Sequence, residues 1–150
     1  MPPKFSLQPV LDYRHNRVET LEVELSNLIA EQQRGYSFLE ALRDYQKNIF
    51  TDLSNQQNGD LDLQKINHLH SNLKIVEDRI KQQLILLESL DQQVNGKRAE
   101  VVDAKQGEET LATLKRKEIE RYQAEQARQE NRQQDDIYIA QAYQRNNQTK

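Results

Sequence analysis

A heptad repeat of apolar residues, beginning at Leu7 and holding to Leu53, limits this chain more than any other feature. With position a at Leu11, Val18, Leu25, Gln32, Leu39, Gln46 and Leu53, position d falls on Leu7, Arg14, Leu21, Leu28, Gly35, Leu42 and Ile49. Ten of these fourteen positions are apolar; Arg14, Gln32, Gly35 and Gln46 are not. A repeat of about 3.5 residues sustained this long folds as a left-handed coiled coil. The polar members lower the stability of the seam and help fix its register. Ser6 suits a helix cap, Pro9 falls in the first turn, and Phe5 and Val10 are spaced as a hydrophobic staple.

The repeat stops at the run from Ser54 through Asn55, Gln56, Gln57, Asn58 and Gly59 to Asp60. These are turn formers, and Gly59 is free to take a positive φ. Asp60 and Asp62 suit the start of a second helix, as cap and first-turn anion. That helix begins near Leu61, with a seam of Ile66, Leu69, Leu73, Val76, Ile80, Leu87, Leu90, Val94, Val101 and Ala104. Gln83 and Lys97 occupy two d positions, and Leu84 sits beside the first. Beyond Gly107 the pattern loosens, although Leu111, Leu114, Ile119 and Tyr122 still trace a face. Residues 123–136 are almost wholly polar; Ile137, Ile139, Ala140, Ala142 and Tyr143 restore some apolar character. No alternation makes a convincing strand. The expected fold is all-α: a long two-helix antiparallel coiled-coil hairpin with a C-terminal single-helix overhang. It forms one coiled-coil domain over residues 1–150, with helix 1 about 7–54, a loop at 54–60 and helix 2 about 61–145.

At about 1.5 Å per residue, helix 1 is about 70 Å long and helix 2 about 125 Å. A turn at 54–60 places Leu7 near Gly107. Everything after about residue 108 is then without an intramolecular partner, an overhang of about 35–40 residues. A lone helix with a thin apolar face is marginal in water. The overhang and the adjacent start of helix 1 are therefore the leading candidate for a binding end; the alternative is an inert, frayed tail.

Composition decides between this reading and others. The chain is 35% hydrophobic and 30% charged, with no Trp and only three Phe, too little apolar material for a thick globular core. Regular apolar spacing separates it from disorder. A net charge of -3, with no strongly basic segment, argues against nonspecific nucleic-acid binding. There is no cysteine for disulfides or thiolate metal sites. No apolar run approaches the roughly 20 residues that span a bilayer, and the N-terminus lacks a signal-peptide apolar region. The expected location is the cytoplasm, with no direct membrane insertion.

Catalytic patterns are missing. Gly35, Gly59, Gly96 and Gly107 are too scattered to cradle a phosphate. His68 and His70 point to different faces of a helix, as solvent-facing residues rather than a ligand pair. Glu108–Glu109 and Asp135–Asp136 read as solvated charge. A two-helix rod offers no water-excluding pocket in which to shift a pKa, so the chain is expected not to be an enzyme and to need no cofactor or metal. Lys115, Arg116 and Lys117, followed by Arg121, Arg128 and Arg132, would suit an acidic partner. Pairing with Glu118, Glu120, Glu125 and Glu130 accounts for most of that charge instead.

Two stretches go beyond a generic coiled coil. One is Phe5-Ser6-Leu7-Gln8-Pro9-Val10-Leu11-Asp12-Tyr13-Arg14. The other runs from Leu111 through Leu114, Lys115, Tyr122, Glu125, Arg128 and Glu130 to Asp135–Asp136. Together they resemble the FliJ family of flagellar export proteins. That family opens with Phe-x-Leu-Gln-x-Val-Leu-x-x-Arg and closes with a Leu-x-x-Leu…Tyr…Glu-x-x-Arg-x-Glu…Asp-Glu pattern on a long helix. Asp136 stands where the family more often has Glu, and Gln134 where an apolar residue is usual. The middle, 30–100, carries no matching motif.

The resemblance implies a soluble component of a type III export apparatus, similar in form to the central stalk of rotary ATPases. Its implied partners are the hexameric export ATPase, the membrane export-gate protein and export chaperones. Its implied location extends to the cytoplasmic face of the inner membrane. Carried over by position, Phe5, Leu7, Leu11, Arg14, Leu111, Leu114, Tyr122, Glu125, Arg128 and Glu130 would belong to the ATPase-proximal end. Seam packing is the competing role for the apolar members, above all Leu7 and Leu11. Arg14 is more telling, because a charge at a d position wants a partner. The competing functions are the equivalent stalk of a virulence injectisome and a structural coiled-coil scaffold or tether.

Overall fold

The computed structural model describes residues 4–59 and 62–148, and Asp60 and Leu61, with their expected roles, lie outside them. Its described residues form two helices, α1 (Gln8–Gln57) and α2 (Leu63–Gln148), and no strand. The helices pack against each other as an antiparallel hairpin.

Local chemistry sets the helix ends. The Leu7 carbonyl accepts the first helical bond, from Leu11 N–H at 2.9 Å, and Gln8 N–H turns back to the Phe5 carbonyl at 3.0 Å. Leu7 therefore stands at the cap position expected of Ser6. Asp62 caps α2, its Oδ1 accepting from the N–H groups of Gln64 (3.1 Å) and Lys65 (3.3 Å). It is the cap, not a first-turn anion. The turn is displaced from its expected place: Ser54–Gln57, expected as loop, forms the last turn of α1, and Asn58 closes a turn onto the Asn55 carbonyl. Among the described residues no glycine takes a positive φ, so the freedom expected of Gly59 is not drawn on.

The chain packs as two compact units, Met1–Val18 with Ala104–Lys150, and Glu19–Asp103. In the Glu19–Asp103 unit the seam is the expected one. Leu39, Leu87 and Leu90 form one buried cluster, with Leu28 and Ile80 against it. Ile49, Leu53 and Val76 form another, with Ile66, Leu69, Leu73 and Ile80 around it. Each fully covered Leu or Ile contributes about 1.5–3 kcal/mol. Two helices make a seam rather than an enclosed core, and no described side chain falls below 2% exposure.

Several polar seam positions of this unit have partners. Buried Gln83 donates its amide to the Gly35 carbonyl at 3.0 Å. A side chain at Gly35 would obstruct this approach, because its Cβ would lie 2.7 Å from Leu87 Cδ2. Gln32 donates to Asp91, and the Tyr36 hydroxyl donates to Asp91 Oδ2 at 3.1 Å. Lys97 pairs with Glu24 at 2.9 Å and Glu100 at 3.2 Å.

In the other unit, Val18 and Leu111 are buried and Leu11 is half-buried. Arg14 lies along Gly107, where a Cβ would meet its Nη1 at 2.5 Å, and His15 Nδ1 is 2.6 Å from Glu108 Oε1. The expected pairing of Leu7 with Gly107 is thus wrong by one heptad. The reason is the extra turn of α1, which moves the reversal of the chain later. The paired part of α2 continues past residue 108, where no partner was expected. From residue 123 to 148 α2 is exposed on every face, so the overhang is shorter than expected.

Candidate functional site

The Met1–Val18 and Ala104–Lys150 unit carries a groove of about 600 Å³ between the start of α1 and α2. Phe5, just before α1, and Pro9, in its first turn, line one side. Ile119 and Tyr122 line the other, three apart on α2. Charged groups of both signs surround them: Lys4 ahead of α1 and Asp12 on it, Lys115 and Glu118 on α2. An apolar floor with a mixed-charge rim suits an apolar side chain from a partner, held in place by polar contacts at the edge.

The family-inferred residues divide into three groups. Phe5 and Tyr122 line this one groove, although far apart in sequence. Leu11 and Leu111 turn into the seam, which is the packing role. Leu7 and Leu114 are 40% and 44% exposed, and Arg14 is exposed along Gly107. Glu125, Arg128 and Glu130 lie on the fully exposed stretch of α2, outside the groove. Pro9, Ile119, Lys4, Asp12 and Glu118 were not among the inferred site residues. Helical spacing from Tyr122 would have found Ile119. The charged rim depends on the pairing register, which the sequence reading placed one heptad away.

The electrostatics of this end are those of a surface. The His15–Glu108 pair has side chains 55% and 26% exposed, an arrangement worth little in stability. Tyr122 Oη accepts from the Gln126 amide at 2.8 Å, which steadies the ring at the groove edge. Among the described residues, no cluster of three or more His, Cys, Asp or Glu side chains has metal-binding geometry. No helix among them is long and apolar enough to cross a membrane.

Comparison with curated proteins and comparison with solved structures gave no match. A family model described as Flagellar FliJ protein matches residues 3–148. That span takes in the opening motif, both helices and the groove, and the chain therefore belongs to the FliJ family of flagellar export-related coiled-coil proteins.

Proposed function

We propose that this chain is a non-enzymatic, stalk-like component of the flagellar type III export apparatus. It works in the cytoplasm and at the cytoplasmic face of the inner membrane. Its terminal unit binds the hexameric export ATPase, and the protein links that ATPase to the membrane export gate and to substrate chaperones. The observation that carries this reading is the open groove of Phe5, Pro9, Ile119 and Tyr122 beside an α2 segment that is exposed on all faces. Apolar surface in a soluble helical protein lowers its free energy when a partner covers it. The gate and chaperone links follow from family membership.

The test is a pull-down with purified export ATPase, with ATP turnover as second readout. The full chain is compared with one ending at Gln126, which retains the groove with its Gln126–Tyr122 hydrogen bond and removes nearly all of the exposed α2 segment. The full chain is expected to bind and raise turnover; the shortened chain is expected to bind more weakly and raise turnover less. Failure of the full chain to bind would leave the scaffold reading in its place. Family membership favours the flagellar machine over an injectisome.

A further inference from the structure

The apolar seam of the Glu19–Asp103 unit does not by itself fix how its two helices align. A slide of one heptad returns every a and d residue to the seam, so the seam stays largely apolar although each residue meets a new partner. The chain also contains a second place to turn. Within Ser54–Gln57, now the last turn of α1, Ser54 and Asn55 have weak helix preference and suit turns. A hairpin reversing there would align its helices one heptad from the observed register.

The polar contacts do not survive that slide. Gln83 now donates to the Gly35 carbonyl, while Asp91 accepts from Gln32 and Tyr36. One heptad away, the Gln83 amide would face Leu28 instead of Gly35. Asp91 would face Leu25 and Ile29, and Lys97 would leave Glu24. A half-buried carboxylate against two aliphatic side chains and an amide without its acceptor both disfavour the slid state. Gly35 adds a steric key, since a Cβ there would lie 2.7 Å from Leu87 Cδ2 and force that side chain to shift.

The geometry points to a register lock: Gln83 on Gly35, and Asp91 on Gln32 and Tyr36, select one of two heptad registers that the apolar seam accepts alike. Release of the lock would move one helix about 10 Å along the other without unpacking the seam. This inference concerns the hairpin alone and stands or falls independently of ATPase binding.

The chain has no cysteine, so engineered pairs report without background. Gly35 faces Leu87; one heptad further along each helix, Leu42 faces Ile80. Leu42→Cys with Ile80→Cys therefore reports the observed register. Leu42→Cys with Leu73→Cys reports the slid one and in the observed register is about 10 Å out of line, too far for a disulfide. In the otherwise unchanged chain the first pair is expected to oxidise at least about tenfold faster than the second. Adding Gln83→Leu and Asp91→Leu is expected to bring the second pair within about threefold of the first. Asp91→Asn alone keeps an acceptor and should preserve the preference.

The lock is overturned if the slid pair oxidises as fast as the native pair in the unchanged chain. It is also overturned if the doubly substituted chain stays helical by circular dichroism and the slid pair gains nothing. Should that chain lose its helices, Gln83→Leu and Asp91→Leu are tested singly: a gain at the slid pair from either supports the lock, and no gain from either in a helical chain overturns it.

Discussion

The two units use one heptad pattern to different ends. In Glu19–Asp103 the seam is closed: Leu39, Leu42, Ile49, Leu87, Leu90 and Val94 are buried, and Gln83, Asp91 and Lys97 are each held by a partner. In the terminal unit Leu7, Leu114 and Ile119 are each at least 40% exposed, a groove stands open at Phe5 and Tyr122, and α2 continues bare beyond it. Apolar residues at helical spacing thus stabilise the first unit and leave apolar surface open on the second. The difference is whether a facing helix covers them.

The largest effect that would break this contrast is a truncation in the closed seam. Leu87→Ala is expected to lose about 2–4 kcal/mol of stability in denaturant unfolding. Leu114→Ala should stay within about 0.5 kcal/mol of the parent yet weaken ATPase binding. Equal losses of stability at both positions would remove the distinction between the units.

Glycine substitution sharpens the same comparison within one unit, with opposite signs. Gly35→Ala drives a Cβ to 2.7 Å from Leu87 Cδ2 and is expected to lose about 1–2 kcal/mol through overpacking. At Gly96 a Cβ meets nothing within 4 Å. Gly96→Ala should therefore gain about 0.5–1 kcal/mol from helix preference alone. Thermal melts of the two variants check both signs.

The seam and the fold class are legible in the sequence because periodicity reports which face of a helix is covered. Gly35, Gln83 and Lys97 stand out as breaks in that periodicity, and each proves to have a structural partner. The pairing register is not legible, because a slip of one heptad leaves every seam residue on the seam. Local composition then misplaced the turn. Ser54 to Gln57 resemble a loop, but Leu53 is buried and Gln56 half-buried in the continuing helix, and tertiary packing outweighs a weak local preference. The groove was legible only in part for the same reason. Phe5 and Tyr122 were named by motif, while their meeting and their charged rim depend on the register.

A smaller effect follows from titration in the Glu19–Asp103 unit. The hydrogen bond from Lys97 to Glu24, then that to Glu100, holds the ammonium above its ordinary pKa of 10.5. The hydrogen bond to Asp91, then desolvation and the Asp91 charge, hold the Tyr36 hydroxyl above its ordinary 10.0. Both pKa values are higher in the folded state. Their contributions are therefore complete below the unfolded values and lost as pH rises through the folded ones. The melting temperature should fall as pH climbs beyond these ordinary values. Tyr36→Phe with Lys97→Gln should make that fall shallower.

The most direct test of the terminal unit as the working end is a titration of purified export ATPase with the full chain and with a Phe5→Ala, Tyr122→Ala variant, both checked for helicity and melting temperature. Binding at least about tenfold weaker at an unchanged melting temperature is the expected result, since two buried aromatic anchors contribute at least that much at an interface. Undiminished affinity in a fully folded variant would contradict the assignment of the groove and move the ATPase contact elsewhere on the chain.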